Sequence, residues 1–149
     1  QVHSRDNGRT PMQWDDSRYA GFAAEDSAEP WIAANGNHVR VNAADQLKDE
    51  DSIFHYYQKL IALRKELDVI AYGDIEPLAE HDPSVFAYRR TCEGHELVMV
   101  ANFYGKEYTW KGAPELEGFR KVLGNYQGEE TTEGAAMVLK PYEAAVWYK

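Results

Sequence analysis

The sequence contains a single cysteine, Cys92, among its 149 residues. One cysteine cannot form an intrachain disulfide, so the fold does not depend on a disulfide framework and we expect a cytoplasmic protein. No run of 18 apolar residues occurs, which argues against a transmembrane helix. Acidic residues outnumber basic ones by 25 to 16, which gives a formal net charge of −9. An excess of negative charge repels nucleic acid and anionic membrane surfaces, so we expect neither as a partner.

Several motifs that carry chemistry are also missing. The sequence has no glycine-rich phosphate loop and no serine-hydrolase nucleophile motif. None of its histidines stands at metal-ligand spacing from another histidine or from Cys92; they are His3, His38, His55, His81 and His95. We therefore expect no metal site and no cofactor.

A polar run near the start of the chain, residues 5–17, has the composition of a binding loop. It reads Arg-Asp-Asn-Gly-Arg-Thr-Pro-Met-Gln-Trp-Asp-Asp-Ser. Pro11 fixes its own φ and disfavours a helical conformation at Thr10, so we predict a loop here. Arginine provides a planar fork of donors, aspartate and asparagine provide acceptors, and tryptophan provides a flat apolar face. These groups suit a polyhydroxylated ligand such as a sugar, and the alternative is a loop whose charges pair only with one another.

The periodicity divides the chain into three parts. Residues 1–48 show no sustained period but carry several large aromatic residues, which predicts a structured excursion with short turns or one-turn helices. Residues 49–67 show the apolar spacing of an amphipathic helix, with Asp49 or Ser52 as its cap. From about Ile70 the period changes to two. We predict strands over 75–80, 84–92, 96–103, 107–110, 119–123, 136–139 and 144–148, with a hairpin turn at 93–95.

The polar run resembles a characteristic motif of the oligo-1,6-glucosidases and their relatives in glycoside hydrolase family 13, which reads Arg-Asp-Asn-x-Arg-Thr-Pro-Met-Gln-Trp-Asp. The likeness continues along the chain at residues 20–22, 30–32, 35, 42, 51–57, 59–61, 63–65, 72–73, 86–88, 90, 102–103 and 141–144. It therefore covers essentially the whole sequence.

The resemblance implies a mainly β fold. This is a C-terminal antiparallel β-sandwich of the Greek-key type, preceded by a long irregular segment and one amphipathic helix left over from the end of a (β/α)8 barrel. On this basis we expect residues 1–68 to be the end of the catalytic barrel and residues 69–149 to be the sandwich domain. The chain would then be the C-terminal part of an α-glucosidase.

The resemblance also implies roles for the polar run. In the family the nucleophile and the catalytic acid lie on barrel strands upstream of this segment, so we expect no catalytic residue here and an inactive fragment. The second arginine of the motif, Arg9, would bind the non-reducing glucose. Arg5, Asp6, Asn7 and Trp14 would support the loop. The alternative for Arg9 is an ion pair with Asp6 or Asp15 that only fixes the loop.

The function implied for the parent is a retaining α-glucosidase that removes non-reducing-end glucose from α-gluco-oligosaccharides. The linkage would be α-1,6, or alternatively α-1,4, and the partners would be this substrate and the missing barrel. Dextran glucosidases and trehalose-6-phosphate hydrolases share this segment, so the resemblance leaves the specificity within the group open. Two other interpretations remain open on the sequence: a stand-alone carbohydrate-binding module, and a structural β-sandwich without a ligand.

Overall fold

The computed structural model describes residues 5–128, 131–133 and 136–149. The chain divides into two compact units, one that ends at Gln58 and one that begins at Lys59. The first unit contains 3-10 helices at Arg5–Gly8 and Gly36–Val39 and a short helix α1 at Ala43–Gln46. Helix α2, Ile53–Glu66, begins in the first unit and ends in the second. The predicted one-turn helices within residues 1–48 are therefore present.

Side-chain caps fix where the helices of the first unit begin. The side-chain oxygen of Asn42 accepts the Asp45 N–H at 2.9 Å at the start of α1. At the start of α2, the Ser52 hydroxyl oxygen accepts the His55 N–H at 3.3 Å. Satisfying these otherwise unpaired N–H groups is what defines a helix start. Helix α2 consequently begins at Ile53 rather than at the predicted residue 49, and residues 49–52 form a turn.

The apolar side of α2 is exposed in this chain. The exposed apolar residues lie within one face of the helix, at the spacing of an amphipathic stripe; they are Ile53, Phe54, Tyr57, Leu60 and Ile61. No residue of α2, all of which is described, is buried. None of the described helices is long and apolar enough to cross a membrane.

The second unit is built mainly from antiparallel sheet, as the period of two predicts. A short helix α3, Asp68–Tyr72, precedes the strands. The strands are β1 Asp74–Pro77, β2 Val85–Cys92, β3 His95–Asn102, β4 Tyr108–Trp110, β5 Arg120–Gly124, β6 Thr131–Glu133, β7 Ala136–Leu139 and β8 Ala144–Tyr148. They form one sheet in the order β1-β2-β3-β8-β5 and a second in the order β4-β7-β6. Every strand pair in both sheets is antiparallel.

The two sheets contribute to one hydrophobic cluster. Alternate residues of β2 and β3 point into it, because successive side chains of a strand face opposite sides of the sheet. The cluster contains Val85, Ala87, Val98, Val100, Trp110, Met137, Leu139, Ala145 and Trp147, which are all buried. Burial of these apolar surfaces stabilises the unit by about 1.5–3 kcal/mol for each large side chain.

Several elements of the second unit differ from the sequence prediction. The hairpin between β2 and β3 closes through Glu93 and Gly94, whose φ angles are 50° and 85°, so His95 pairs with Cys92 as the first residue of β3. A two-residue turn of this type matches the twist of the strands. The predicted strand at 75–80 ends at Pro77, and the sequence analysis missed α3, β6 and the 3-10 helix Ala113–Leu116.

Candidate functional site

The polar loop is attached to the start of α1 through its backbone. The carbonyl oxygens of Gln13 and Trp14 accept the N–H groups of Ala43 and Ala44, both at 2.9 Å. These donors belong to the first turn of a helix, where N–H groups have no partner within the helix. The loop and α1 therefore stabilise each other, and the amide of Gln13 adds a bond to the Asn37 side chain at 3.0 Å.

A tight turn follows the loop and reverses the chain. The Trp14 N–H donates to the Ala20 carbonyl at 2.8 Å, and Ala20 is fully buried. Gly21 has a φ of 64°, and a Cβ at this position would lie 2.6 Å from Asp15 Oδ2 and 3.0 Å from Trp14 Cβ. Only glycine fits this backbone without strain. The turn brings Phe22 back beside the residues that follow Arg9.

Asp15 is held inside this turn by Ser17. The hydroxyl and the backbone N–H of Ser17 both donate to Asp15 Oδ1. These two hydrogen bonds, the one from the hydroxyl being the stronger influence, hold the pKa of Asp15 below its ordinary value. The Ser17 hydroxyl oxygen in turn accepts the Gly21 N–H at 2.9 Å. Asp15 is thus an ionised turn-forming residue, and its arrangement gives it a local structural role.

Arg9 forms an ion pair with Asp6. One terminal nitrogen of the guanidinium contacts Asp6 Oδ1, and the Arg9 N–H donates to the Asp6 carbonyl at 2.9 Å. The side chains of Arg9 and Asp6 are 53% and 50% exposed. The ion pair is the one that the alternative interpretation of Arg9 requires. Because a guanidinium carries five N–H donors, the pair orients Arg9 and leaves it the capacity to bind a second acceptor.

For the other loop residues named from the sequence, the structure describes fewer contacts. Arg5 and Asn7 lie in the first 3-10 helix, and their side chains are outside the described part of the chain. The Trp14 side chain is half exposed, while its backbone makes the two bonds given above. The loop-supporting roles of Arg5, Asp6, Asn7 and Trp14 therefore stay predictions, as does the ligand contact of Arg9.

Arg9 lies at the edge of an open groove of about 400 Å³. The groove is lined by Arg9, Thr10, Pro11, Met12, Phe22, Pro30, Trp31 and Ile32. The sequence analysis did not assign a ligand role to Phe22 or Trp31, although both lie in segments that match the family. Their spacing from Arg9 carries no periodic signal, and the turn at Gly21 returns the chain at Phe22 to the residues that follow Arg9.

The groove combines one charged donor with apolar and aromatic walls. Small-molecule sites of about 300–1,000 Å³ commonly have this composition, in which a few polar groups set the orientation of the ligand. Among the described residues, no group of three His, Cys, Asp or Glu side chains could hold a metal ion. The guanidinium of Arg9 can orient a polar ligand in the groove.

Comparison with known proteins identifies the class of protein to which this arrangement belongs. The family model for the α-amylase catalytic domain matches residues 1–73. The oligo-1,6-glucosidase of Halalkalibacterium halodurans is 42% identical over 96% of this chain, and the trehalose-6-phosphate hydrolase of Escherichia coli K12 is 38% identical over 97%. These are glycoside hydrolases. The chain spans about a quarter of the length of both relatives, 25% in each case.

Solved structures show the same relationship in three dimensions. The trehalose-6-phosphate hydrolase of Bacillus licheniformis superposes with a TM-score of 0.86 at 37% identity, over 97% of this chain and 26% of that one. The trehalulose synthase of Pseudomonas mesoacidophila MX-45 superposes with a TM-score of 0.84 at 28% identity, over the same shares. This chain belongs to the α-amylase family, glycoside hydrolase family 13, and corresponds to a part of such an enzyme.

Proposed function

We propose that the parent of this chain is a retaining α-glucosidase that releases glucose from the non-reducing end of α-gluco-oligosaccharides, with α-1,6 linkages preferred and α-1,4 linkages as the alternative. The similarity to oligo-1,6-glucosidases over nearly the whole chain supports this activity. The residues that separate the activities of the relatives lie mostly outside this chain, in the barrel.

In the proposal, this chain supplies substrate binding and not proton transfer or nucleophilic attack. Retaining glycosidases need two carboxyl groups about 5–5.5 Å apart, and the family places both on barrel strands that precede this segment. Residues 69–149 would form the Greek-key sandwich behind the barrel, and residues 1–68 its last loop and helix. A cytoplasmic location remains part of the proposal.

The observation that carries the binding role is the position of Arg9. Its side chain is paired with Asp6, half exposed, and lines a groove whose volume of about 400 Å³ can accommodate a sugar unit. A charged donor held in this way can bind a hydroxyl of the terminal glucose. It would also favour cleavage at the chain end, since a further sugar unit would collide with it.

Substitution of Arg9 in the full-length parent tests this role. A charge-assisted hydrogen bond contributes roughly 1.5–3 kcal/mol, so Arg9→Ala should lower kcat/KM on isomaltose by about ten- to more than a hundredfold. Arg9→Lys keeps a charge beside Asp6 but loses the planar fork, and it should recover little activity. Arg40→Ala, at an exposed arginine of the same unit, is the control and should stay within about twofold.

A 4-deoxy analogue separates ligand binding from loop support. If Arg9 binds the terminal 4-hydroxyl, Arg9→Ala should cost far less on the analogue than on the natural substrate. A folded Arg9→Ala variant that keeps kcat/KM on isomaltose within threefold of the wild type would mean that Arg9 only pairs with Asp6.

A further inference from the structure

Asn42 is a buried polar residue to which the proposed function gives no role. It caps the start of α1 and is 3% exposed. Any further part of the parent can only reduce this exposure, so the burial of Asn42 does not depend on the length of the chain. A buried amide is unfavourable unless its polar atoms find hydrogen-bond partners, and those of Asn42 have them.

The Asn42 side chain makes three hydrogen bonds and connects two elements. Its Oδ1 accepts the Asp45 N–H at 2.9 Å, and its Nδ2 donates to the His38 carbonyl and to Asp45 Oδ2, both at 2.9 Å. An amide provides the acceptor and the two donors that these contacts need, whereas a carboxylate of the same shape provides acceptors only. Asn42 therefore fastens the 3-10 helix Gly36–Val39 to α1.

The N–H groups of the first turn of α1 are shared between Asn42 and the polar loop. The first two, from Ala43 and Ala44, donate to the carbonyls of residues 13–14, and the third, from Asp45, donates to Asn42. A helix of four residues is too short to be stable by itself. The orientation of the two donors that hold the loop consequently depends on Asn42.

We propose that Asn42 is a positioning residue for substrate binding, which acts through α1 and the polar loop on Arg9. The inference rests on the proposed function, in which Arg9 binds the terminal glucose. Only three residues separate Arg9 from the anchored residues 13–14, and one of them is Pro11, whose φ is fixed. A displacement of the anchor therefore reaches Arg9. A shift of about 1 Å in a group that positions substrate can cost about a hundredfold in rate.

A double-mutant cycle in the full-length parent separates positioning from general stability. Asn42→Ala should lower kcat/KM on isomaltose by about tenfold, because it frees the start of α1. In an Arg9→Ala background the same change should cost less than about twofold, because the guanidinium that Asn42 positions is already gone. A residue with a merely structural role would lower kcat/KM by the same factor in both backgrounds.

Asn42→Asp is a second variant that keeps the shape and the helix cap. It loses both donors, and the introduced carboxylate faces Asp45, so it should also lower kcat/KM by about tenfold. Adding Asp45→Asn restores a donor and an acceptor between the two side chains. The double variant Asn42→Asp/Asp45→Asn should therefore return kcat/KM to within about threefold of the wild type.

Asn102 provides a matched control in the second unit. It is 2% exposed, donates to the carbonyls of Lys106 and Lys140 at 2.8 and 2.9 Å, and accepts the Tyr104 N–H at 3.0 Å. Asn102→Ala removes the same three kinds of hydrogen bond as Asn42→Ala. It should lower the stability of the parent and leave kcat/KM within about twofold, measured at a temperature at which every variant is folded.

The outcomes distinguish this inference from the proposed function. Equal losses with Asn42→Ala in both backgrounds, or an unchanged kcat/KM with Asn42→Ala alone, would overturn the positioning role. If Arg9→Ala lowers kcat/KM while the Asn42 variants behave in either of these ways, the proposed function stands and the role of Asn42 alone is rejected. If Arg9→Ala has no effect, the role proposed for Arg9 is wrong, and the positioning role is rejected with it.

Discussion

At the scale of single residues, the groove depends on Gly21 as much as on the residues that line it. Gly21 adopts a left-handed conformation, and its missing side chain leaves room for Asp15 and Trp14. The turn carries the chain from the Arg9 segment to Phe22. A residue without a functional group therefore helps to bring Phe22 to the groove.

Replacement of Gly21 by alanine tests this dependence. The new Cβ would collide with Asp15 and occupy an unfavourable φ, so Gly21→Ala should lower the free energy of unfolding of the parent by about 1–3 kcal/mol. Gly36→Ala is the matched control, because no atom lies within 4 Å of a Cβ there. Urea unfolding of both variants checks the prediction, and equal stabilities would show that the turn tolerates a side chain.

At the residue scale, the sequence singles out individual residues only where a motif carries the information, and the ligand contact of Arg9 stays a prediction. The motif pointed to Arg9, and the competing ion pair with Asp6 was also foreseeable from their three-residue separation. Trp31 was not assigned to the groove, because it is distant from Arg9 in the sequence and no periodic pattern links the two residues. The burial of Ala20 could not be predicted either, because a single alanine in a polar segment gives no hydrophobic periodicity.

At the scale of elements, α2 has an exposed apolar face. Ile61 belongs to that face and is 53% exposed in this chain. A long apolar stripe on a helix is typical of a surface that packs against another element. If the barrel packs against this face, as the proposed domain division implies, Ile61 should behave differently in the fragment and in the parent.

Ile61→Asp in both contexts tests this assignment. In the 149-residue chain the change should alter the free energy of unfolding by no more than about 1 kcal/mol, because the new carboxylate stays in water. In the parent it should cost several kcal/mol, because a buried unpaired carboxylate is strongly unfavourable. Ala62→Asp, on the other side of the helix, should cost only the loss of helix propensity, roughly 0.7 kcal/mol, in both contexts. An unchanged stability of the Ile61→Asp parent would mean that the barrel does not cover this face.

The strands were predictable where apolar residues alternate over several positions. Strands β2, β3, β7 and β8 lie within one or two residues of their predicted bounds, because one face of each contributes to the hydrophobic cluster. Strand β6 was missed because Thr131–Glu133 contains no apolar residue and is defined by its pairing with β7. Helix α3 was missed because five residues are too few to show a helical period.

At the scale of the whole molecule, the chain shows which part of the fold is shared by relatives that catalyse different reactions. It covers about a quarter of its relatives, and those relatives include hydrolases and a synthase with the same local fold. The shared segment therefore does not determine the reaction by itself. Under the proposed function, it would contribute the groove that binds the end of the sugar chain and a β-rich unit next to the barrel.

The most direct test of the proposed function follows the products of isomaltotriose hydrolysis by the full-length parent with proton NMR. A retaining α-glucosidase that acts at the non-reducing end releases glucose first as its α-anomer, together with isomaltose. We predict both products at early times, before mutarotation. Release of the β-anomer, or the absence of any hydrolysis of α-glucosides, would contradict the function proposed here.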